Sequence, residues 1–513
     1  MKHLVLYCFL FAFGWSAIGH SQPWINTSEL SLRADIETLT DIGIISVPIS
    51  TYPLMWSGII KEFDNIDINN VPSEYKSIFW RVKKASKRAF SNIKNKQVQV
   101  TLSNSEKVLR SFGDKQRGKL EIRASSSQVN KNFAWNLEVA RVTDPSDGET
   151  SYYEGSYISS IVGNWVFSLG HIEKWWGASW DSANLLSNNA KTPLGFSISR
   201  NYANQSDVNF LKWLGRWNVS AFVSKLEKYR YLSKPIFSGI SFSTKLTSSL
   251  ETSLRFTRLS VNELPLDDLP VDNLSVDEPA INVENSSLEN SSLENSSLEN
   301  SSLENKNQRT MTELDLRWSI PYSVKLGIPT NIYASVTDEG YNNYSSQIFG
   351  ISSFKTIFDI QWRAYLEYAD TSNSNLEELS NVDEFALANS FQVDGSQINT
   401  FQFKQRAIGS TYGNQSKAIT LGVIGNIDRY QNIELKLQSL KLNESTEGNV
   451  LGNQNTFSFN PVKTKRITIK WHLKVDRNNQ LDIGLELNDK IISSHFGQNE
   501  RYRAQVSWTH FIQ

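Results

Sequence analysis

Two carboxylates and three tryptophans lie close together between residues 173 and 181. Glu173 and Asp181 are the residue types that glycoside hydrolysis uses as acid and base. The flat faces of Trp175, Trp176 and Trp180 are groups that stack on sugar rings. The same residues have a structural reading. Glu173 would pair with a lysine or arginine, Asp181 would cap a turn, and the tryptophans would pack as a plug or girdle. A carboxylate pair at this spacing is a weak signal for catalysis, and the structural reading has the greater weight. Elsewhere the chain offers chemistry little. His171, His472, His495 and His510 include no second histidine at zinc-binding spacing. No G-x-S-x-G elbow and no phosphate-binding glycine loop is present. We therefore expect no metal, no cofactor and no catalytic residue.

The flanking residues read as strands. Trp165, Phe167 and Leu169 alternate with small or polar groups, the period of a strand with one apolar face. Continuing that register would set His171 and Glu173 on the apolar face, so the strand is expected to end near Gly170. Asp181 is placed to cap a short helical turn through Leu186. Pro193 ends the connection, and Leu194, Phe196 and Ile198 begin a new strand.

The run EKWWGASWDSANLLSNNAKTP, residues 173–193, resembles the hallmark of the Wzi family of capsule-assembly outer-membrane proteins, roughly D/E-R-W-W-G-P-G-W-x-x-S-L-x-L-S-N-N-A-R-P. Residues 23–59, PWINTSELSLRADIETLTDIGIISVPISTYPLMWSGI, are similar to the N-terminal block of the same family. Ala178-Ser179 stands where Pro-Gly is usual, Lys174 replaces Arg, and Lys191-Thr192 interrupts the usual Arg-Pro. These departures bear on the rigidity of the loop and on one bidentate cation.

Composition agrees with such a barrel. The 513 residues are 39% hydrophobic and 12% aromatic, with 15 Trp and 18 Tyr, and the mean hydropathy is -0.39. That is too polar for a helical membrane protein, but it suits a transmembrane β-barrel with aromatic girdles. A large secreted β-sandwich would share it. The net charge of -1 becomes one unit more negative without Lys2 and argues against nucleic acid as a partner. Residues 1–21 read as a secretory signal: Lys2 and His3, an apolar run from Leu4 to Ile18, then Gly19-His20-Ser21. The single cysteine, Cys8, lies inside it, so the mature chain has no thiol. Export without disulfides fits a bacterial envelope.

Along the chain, residues 22–96 read as a helical segment. Leu30, Ala34, Ile36 and Leu39 recur at helical spacing, with Thr27 or Ser31 as cap and Gly43 as stop. A longer helix follows from Ser73, with Ile78, Val82, Ala85, Ala89 and Ile93 as its apolar stripe. Arg81, Lys83, Lys84, Lys87 and Arg88 form its other face, read as solvated. From residue 97 to the end the period is two. We count roughly eighteen strands of ~10 residues, the length that a tilted barrel strand needs. Alternation of this kind requires a polar, wet lumen. Long connections interrupt it. The most acidic spans residues 261–307 and carries tandem Asn-Ser-Ser-Leu-Glu from Asn285. So polar and repetitive a segment buries little, and barrel assembly is expected to survive its deletion. Other long connections run from Thr371 to Thr400 and from Asn443 to Lys463. The last strand alternates Tyr502, Ala504, Val506 and Trp508 with polar residues, like an outer-membrane closing strand, although Phe511 has the opposite phase.

The expected fold is thus mainly β: an outer-membrane β-barrel of about eighteen antiparallel strands with an N-terminal α-helical periplasmic segment. The resemblance implies that the helices plug the barrel. It also implies a lectin-like, non-enzymatic protein in assembly or attachment of capsule or exopolysaccharide. Glu173, Trp175, Trp176, Trp180, Asp181, Asn188, Asn189 and Arg200 would then hold the motif loop or touch a saccharide. Expected partners are capsular or extracellular polysaccharide, outer-membrane lipid and, during biogenesis, the barrel-assembly machinery, for a monomer in the Gram-negative outer membrane. An enzyme acting on polysaccharide or lipid, and a diffusion porin, are the alternatives.

Overall fold

The computed structural model describes residues 22–91, 94–145, 148–226, 235–260, 308–339, 344–372, 392–393, 396–397, 402–403, 406–444, 457–458, 461–493 and 499–512. The signal segment 1–21, the acidic connection 261–307, Ile93 and most of the connections 371–400 and 443–463 lie outside the described residues.

Eighteen antiparallel strands close into a barrel. The first six are β1 (Asn95–Ser103), β2 (Leu120–Val129), β3 (Phe133–Val142), β4 (Tyr157–Val162), β5 (Trp165–Gly170) and β6 (Gly195–Arg200). The next six are β7 (Arg216–Lys225), β8 (Ile236–Lys245), β9 (Leu250–Ser260), β10 (Gln308–Ser319), β11 (Thr330–Glu339) and β12 (Tyr344–Ile357). The last six are β13 (Ile360–Asp370), β14 (Lys417–Asn426), β15 (Gln431–Leu442), β16 (Val462–Lys474), β17 (Asn479–Ser493) and β18 (Asn499–Ile512). β18 pairs with β1, Trp508 opposite Val100, which closes the ring and leaves no sheet edge.

The burial pattern is inverted relative to a water-soluble sheet. On β10, Leu314, Leu316 and Trp318 are exposed while Glu313, Asp315 and Arg317 are buried. Only hydrocarbon outside makes that arrangement favourable. An outward band of tryptophans marks one end of this belt. Trp165, Trp318 and Trp508 are exposed, and Trp217, Trp362 and Trp471 share the phase of exposed neighbours. At this end six turns are short (130–132, 163–164, 246–249, 358–359, 427–430, 475–478), and two are longer, 201–215 and 320–329. The opposite end carries 104–119, 171–194, 261–307 and 371–416. That one-sidedness identifies the short-turn end as periplasmic.

Three helices enter from the periplasmic side: α1 (Leu30–Asp41), α2 (Trp56–Asp64) and α3 (Lys76–Ala89). Gly43, at φ +79°, ends α1. The Ile44 N–H reaches Leu39 O at 2.8 Å and the Gly43 N–H reaches Thr40 O at 3.0 Å, a Schellman stop. The start differs from expectation. Glu29 is the N-cap and makes no side-chain cap bond. Thr27 and Ser31 instead donate to Glu173 (3.1 Å) and to Asn426 of β14 (2.7 Å). Contacts to distant chain outcompete the local cap. Ile78, Val82 and Ala89 of α3 pack with Ile36, Leu39, Ile59 and Phe63. The cationic face of α3 is only partly solvated, because Arg81 turns inward to grip Asp35 with two bonds of 2.7 and 2.6 Å.

The lumen is not wet throughout. α1 lies within it, and its residues from Arg33 to Asp41 are all buried, including Asp35 and Glu37. Arg317 and Arg363 of the wall hold Asp41 at 2.5 and 2.9 Å, and Glu251 accepts the Ile49 and Ser50 amides at 2.9 Å each. A cavity of about 510 Å³ remains beside the plug, lined in part by Gln97, Gln99, Ser125, Gln480, Thr509 and Phe511. Phe511 therefore faces inward, as its phase requires.

Candidate functional site

The connection 171–194 starts where Gly170 passes under the neighbouring chain. A Cβ there would lie 2.2 Å from Ser156 O, so only glycine fits. The chain then turns into the lumen. Trp175 and Trp176 pair antiparallel with Tyr52 and Thr51 of the N-terminal segment. Gly177 N–H donates to Ser50 O at 3.0 Å, and Trp176 N–H to Leu186 O at 3.3 Å. The connection is thus stitched to the plug from the side opposite the helices.

The aromatic faces are occupied by protein. Trp175 meets Phe112 edge-on at 5.6 Å, and its indole N–H donates to Ser179 O at 3.1 Å. Trp176 meets Phe222 edge-on at 5.6 Å. Trp180 stacks on Tyr365 at 5.6 Å and 14°, while the Arg33 guanidinium lies 4.3 Å from its ring centroid. Arg33 also donates to Ala178 O (2.7 Å) and Ser179 O (3.0 Å). All three tryptophans are among the largest fully buried side chains.

Asp181 caps no helix, contrary to the sequence reading, because residues 181–186 form none. It is 1% exposed and faces the wall. Thr420 (2.9 Å), Lys436 (3.0 Å), Gln438 (2.8 Å) and Tyr412 all donate to its carboxylate. The local turn is stabilised from across the barrel instead. Glu367 of β13 accepts the backbone amides of Trp180 (2.8 Å), Asp181 (3.3 Å) and Ser182 (2.8 Å), and the Tyr333 hydroxyl at 3.0 Å. Three amides converging on one buried carboxylate satisfy donors that no regular element could.

Glu173 pairs with a lysine, as expected: Lys115 lies 3.4 Å away. Asn189 Oδ1 accepts the Arg110 N–H at 3.0 Å and its Nδ2 donates to Ser410 O at 2.9 Å. Its carbonyl accepts both Arg110 and Arg117 at 2.7 Å. Asn188 Nδ2 donates to Ser111 O at 3.2 Å. Arg117 forms a fork with Glu154, with bonds of 2.9 and 2.8 Å. The connections 104–119, 171–194 and 406–416 thereby form one lid inside the mouth.

Arg200 does not join them. It sits at the periplasmic end of β6, donates to Asn204 O (3.1 Å) and Trp217 O (2.7 Å), and lies 3.5 Å from the Trp217 ring centroid. The strand carries it from the mouth that holds the rest of the motif to the opposite one. Sequence reasoning also missed Arg33, Arg110, Arg117, Glu367, Tyr412 and Lys436. For the strand residues the available signal was a charge in the inward phase, as for Glu367 beside outward Leu366.

Lys174 is the weak point of the lid. It is partly buried, and the desolvation pushes its ammonium down to about 8; it donates to Ile172 O at 3.2 Å and lies over Phe222. The unfolded chain holds this proton up to about 10.5. Between these values the unfolded state binds more protons, so the group's contribution to stability rises with pH. Lys174→Met is expected to raise the thermal midpoint at pH 7 and to flatten its rise between pH 8 and 10 relative to the parent. An unchanged midpoint and slope would contradict this assignment. Among the described residues no cluster of three or more His, Cys, Asp or Glu side chains is placed to hold a metal ion.

Comparison with known proteins bears on what such a lid serves. A family model described as capsule assembly protein Wzi matches residues 89–261 and 285–503. No curated protein matches the chain in sequence. Among solved structures, Wzi of Escherichia coli is described as an outer membrane protein involved in group 1 capsule assembly and as a carbohydrate binding β-barrel. It is similar over 94% of this chain and 98% of its own, with TM-score 0.72 and 16% identity. Pseudomonas aeruginosa OpdQ is similar over 82% of this chain and 97% of its own, with TM-score 0.40 and 8% identity.

Proposed function

This chain belongs to the Wzi family of capsule-assembly proteins, and from that premise we propose that it is a lectin-like, non-enzymatic outer-membrane protein that holds or organises capsular or exported polysaccharide at the cell surface. The observation that carries the reading is the double seal. The plug fills the lumen from the periplasm and the lid fills it from outside, so a polymer meets the long-connection mouth as a surface. The Escherichia coli relative is described as carbohydrate binding, which supports saccharide as the ligand class.

In this reading Glu173, Trp175, Trp176, Trp180, Asp181, Asn188 and Asn189 are scaffold, since their faces and lone pairs are committed to protein. Saccharide contacts belong to the long connections around them. Arg200 belongs to the membrane interface. The protein acts as a monomer in the Gram-negative outer membrane, with its helices periplasmic, and reaches it through the barrel-assembly machinery. Planar-bilayer recording of the intact protein is expected to give no large steady current; such a current would favour the porin alternative.

The enzyme alternative assigns Glu173 and Asp181 as acid and base. Asp181 already accepts four hydrogen bonds and is sealed from solvent, which disfavours contact with a substrate. Deleting the gene in its host and comparing cell-bound with released polymer tests the choice. Polymer shed at unchanged chain length is the expected result. Altered chain length or new reducing ends, reproduced by Glu173→Gln or Asp181→Asn in a folded barrel, would establish catalysis instead.

A further inference from the structure

Beyond the tryptophan band, the periplasmic rim is chemically lopsided. On one arc the turns are short and mostly polar: 130–132, 163–164, 427–430 and 475–478. On the other arc, from β6 to β13, the two long turns and one tight one display large apolar groups. Trp213 is 68% exposed, Tyr322 66%, Leu326 58% and Phe358 93%. Lys212 and Lys325 are exposed among them.

Phe358 is the most telling. β12 and β13 are joined by a two-residue turn, and both residues have positive φ, +52° at Phe358 and +61° at Asp359. Such a turn favours Asn-Gly, because a left-handed backbone is costly for a bulky side chain. The hairpin has no use for a phenylalanine there, and the barrel buries almost none of it. Two unfavourable terms, strain and apolar exposure, coincide at one residue.

We propose that this arc, formed by 201–215, 320–329 and 358–359, is seated in the periplasmic-leaflet surface of the membrane. Phe358, Tyr322 and Trp213 would lie among phospholipid headgroups, with Lys212 and Lys325 beside the phosphates. Lipid is the occupant because the patch continues the apolar belt, which ends just above it at Trp318 and Ile357. Aromatic rings flanked by lysines are the chemistry of a membrane interface. The opposite arc displays only Tyr430 (43% exposed) and Val475 (59%) among polar turn residues, with no tryptophan or phenylalanine, so the barrel is held deeper on the β6–β13 side.

The proposal rests on the reading of the barrel as membrane-spanning, and the test separates the two. The only cysteine of the chain precedes residue 22, so single cysteines can be introduced without background. Nitroxides placed by Phe358→Cys, Tyr322→Cys, Arg477→Cys and Leu421→Cys in the full mature barrel, reconstituted in phosphatidylcholine–phosphatidylglycerol bilayers, report relative access of oxygen and a water-soluble nickel chelate. Leu421 is an exposed belt residue, and Arg477 belongs to the opposite arc. The expected oxygen-to-nickel ratio at positions 358 and 322 is several-fold above that at 477 and near that at 421. Ratios at 358 and 322 equal to that at 477, with 421 still lipid-like, would overturn the proposal and leave the rim free for a protein partner. A water-like 421 would overturn the membrane reading itself.

Discussion

Asp41→Ala is expected to turn a closed barrel into a leaky one. Asp41 ends α1, where a negative charge opposes the helix dipole, so its presence is explained by its partners. Arg317 (2.5 Å) and Ser319 (2.8 Å) of β10, Asn331 (2.9 Å) of β11 and Arg363 (2.9 Å) of β13 all donate to it. Removing the carboxylate leaves two guanidiniums buried without that counter-charge. Breaking a buried pair in this way costs about 3–5 kcal/mol. The barrel ladder does not depend on that contact, so the loss falls on the seat of α1. Planar-bilayer recording is expected to show frequent openings in the variant and none in the parent. Limited proteolysis should cut residues 22–91 faster, while heat-modifiable gel migration is preserved. A variant as closed and as protease-resistant as the parent would show that Asp41 does not hold the plug.

Trp180→Ala is expected to loosen the lid from the outside. The indole is sandwiched between Tyr365 and Arg33, and truncating a buried tryptophan costs about 3–5 kcal/mol. Its loss also exposes the arginine that ties α1 to the Ala178 and Ser179 carbonyls. Externally added protease should then cleave within 171–194 on intact cells, where the parent resists. Trp180→Phe, which keeps a ring against Tyr365, should recover much of the resistance. Equal resistance in the alanine variant would place the lid's stability elsewhere, in the Glu367 and Asp181 networks.

The barrel was legible because one physical rule covers most of it. Each strand separates hydrocarbon from a polar interior, and Leu314, Leu316 and Trp318 against Glu313, Asp315 and Arg317 spell that out at period two. The end of α1 was legible for a local reason, the left-handed glycine at 43. Its start was not, because Thr27 and Ser31 are claimed by partners 146 and 395 residues away. For the motif loop, residue types could give the packed reading greater weight but could not name its partners. Tryptophan, aspartate and asparagine suit an open sugar site and a sealed lid. What decides between them is the ring of Tyr365, the carboxylate of Glu367 and the ammonium of Lys436, all far along the chain. Arg200 was misplaced because nearness in sequence outranked strand direction: six residues of β6 are enough to reach the other mouth.

The inverted alternation has a consequence for how such a gene tolerates change. Hydrocarbon has no shape, so an outward Leu421 or Ile469 is interchangeable with any apolar residue of similar size. An inward Glu367 or Arg363 answers to three or four fixed partners on other strands, on the lid or on the plug. Saturation mutagenesis read along one strand should therefore oscillate with period two, permissive on the greasy phase and intolerant on the charged one. That is the reverse of the profile of a water-soluble sheet, where the apolar phase is the intolerant one.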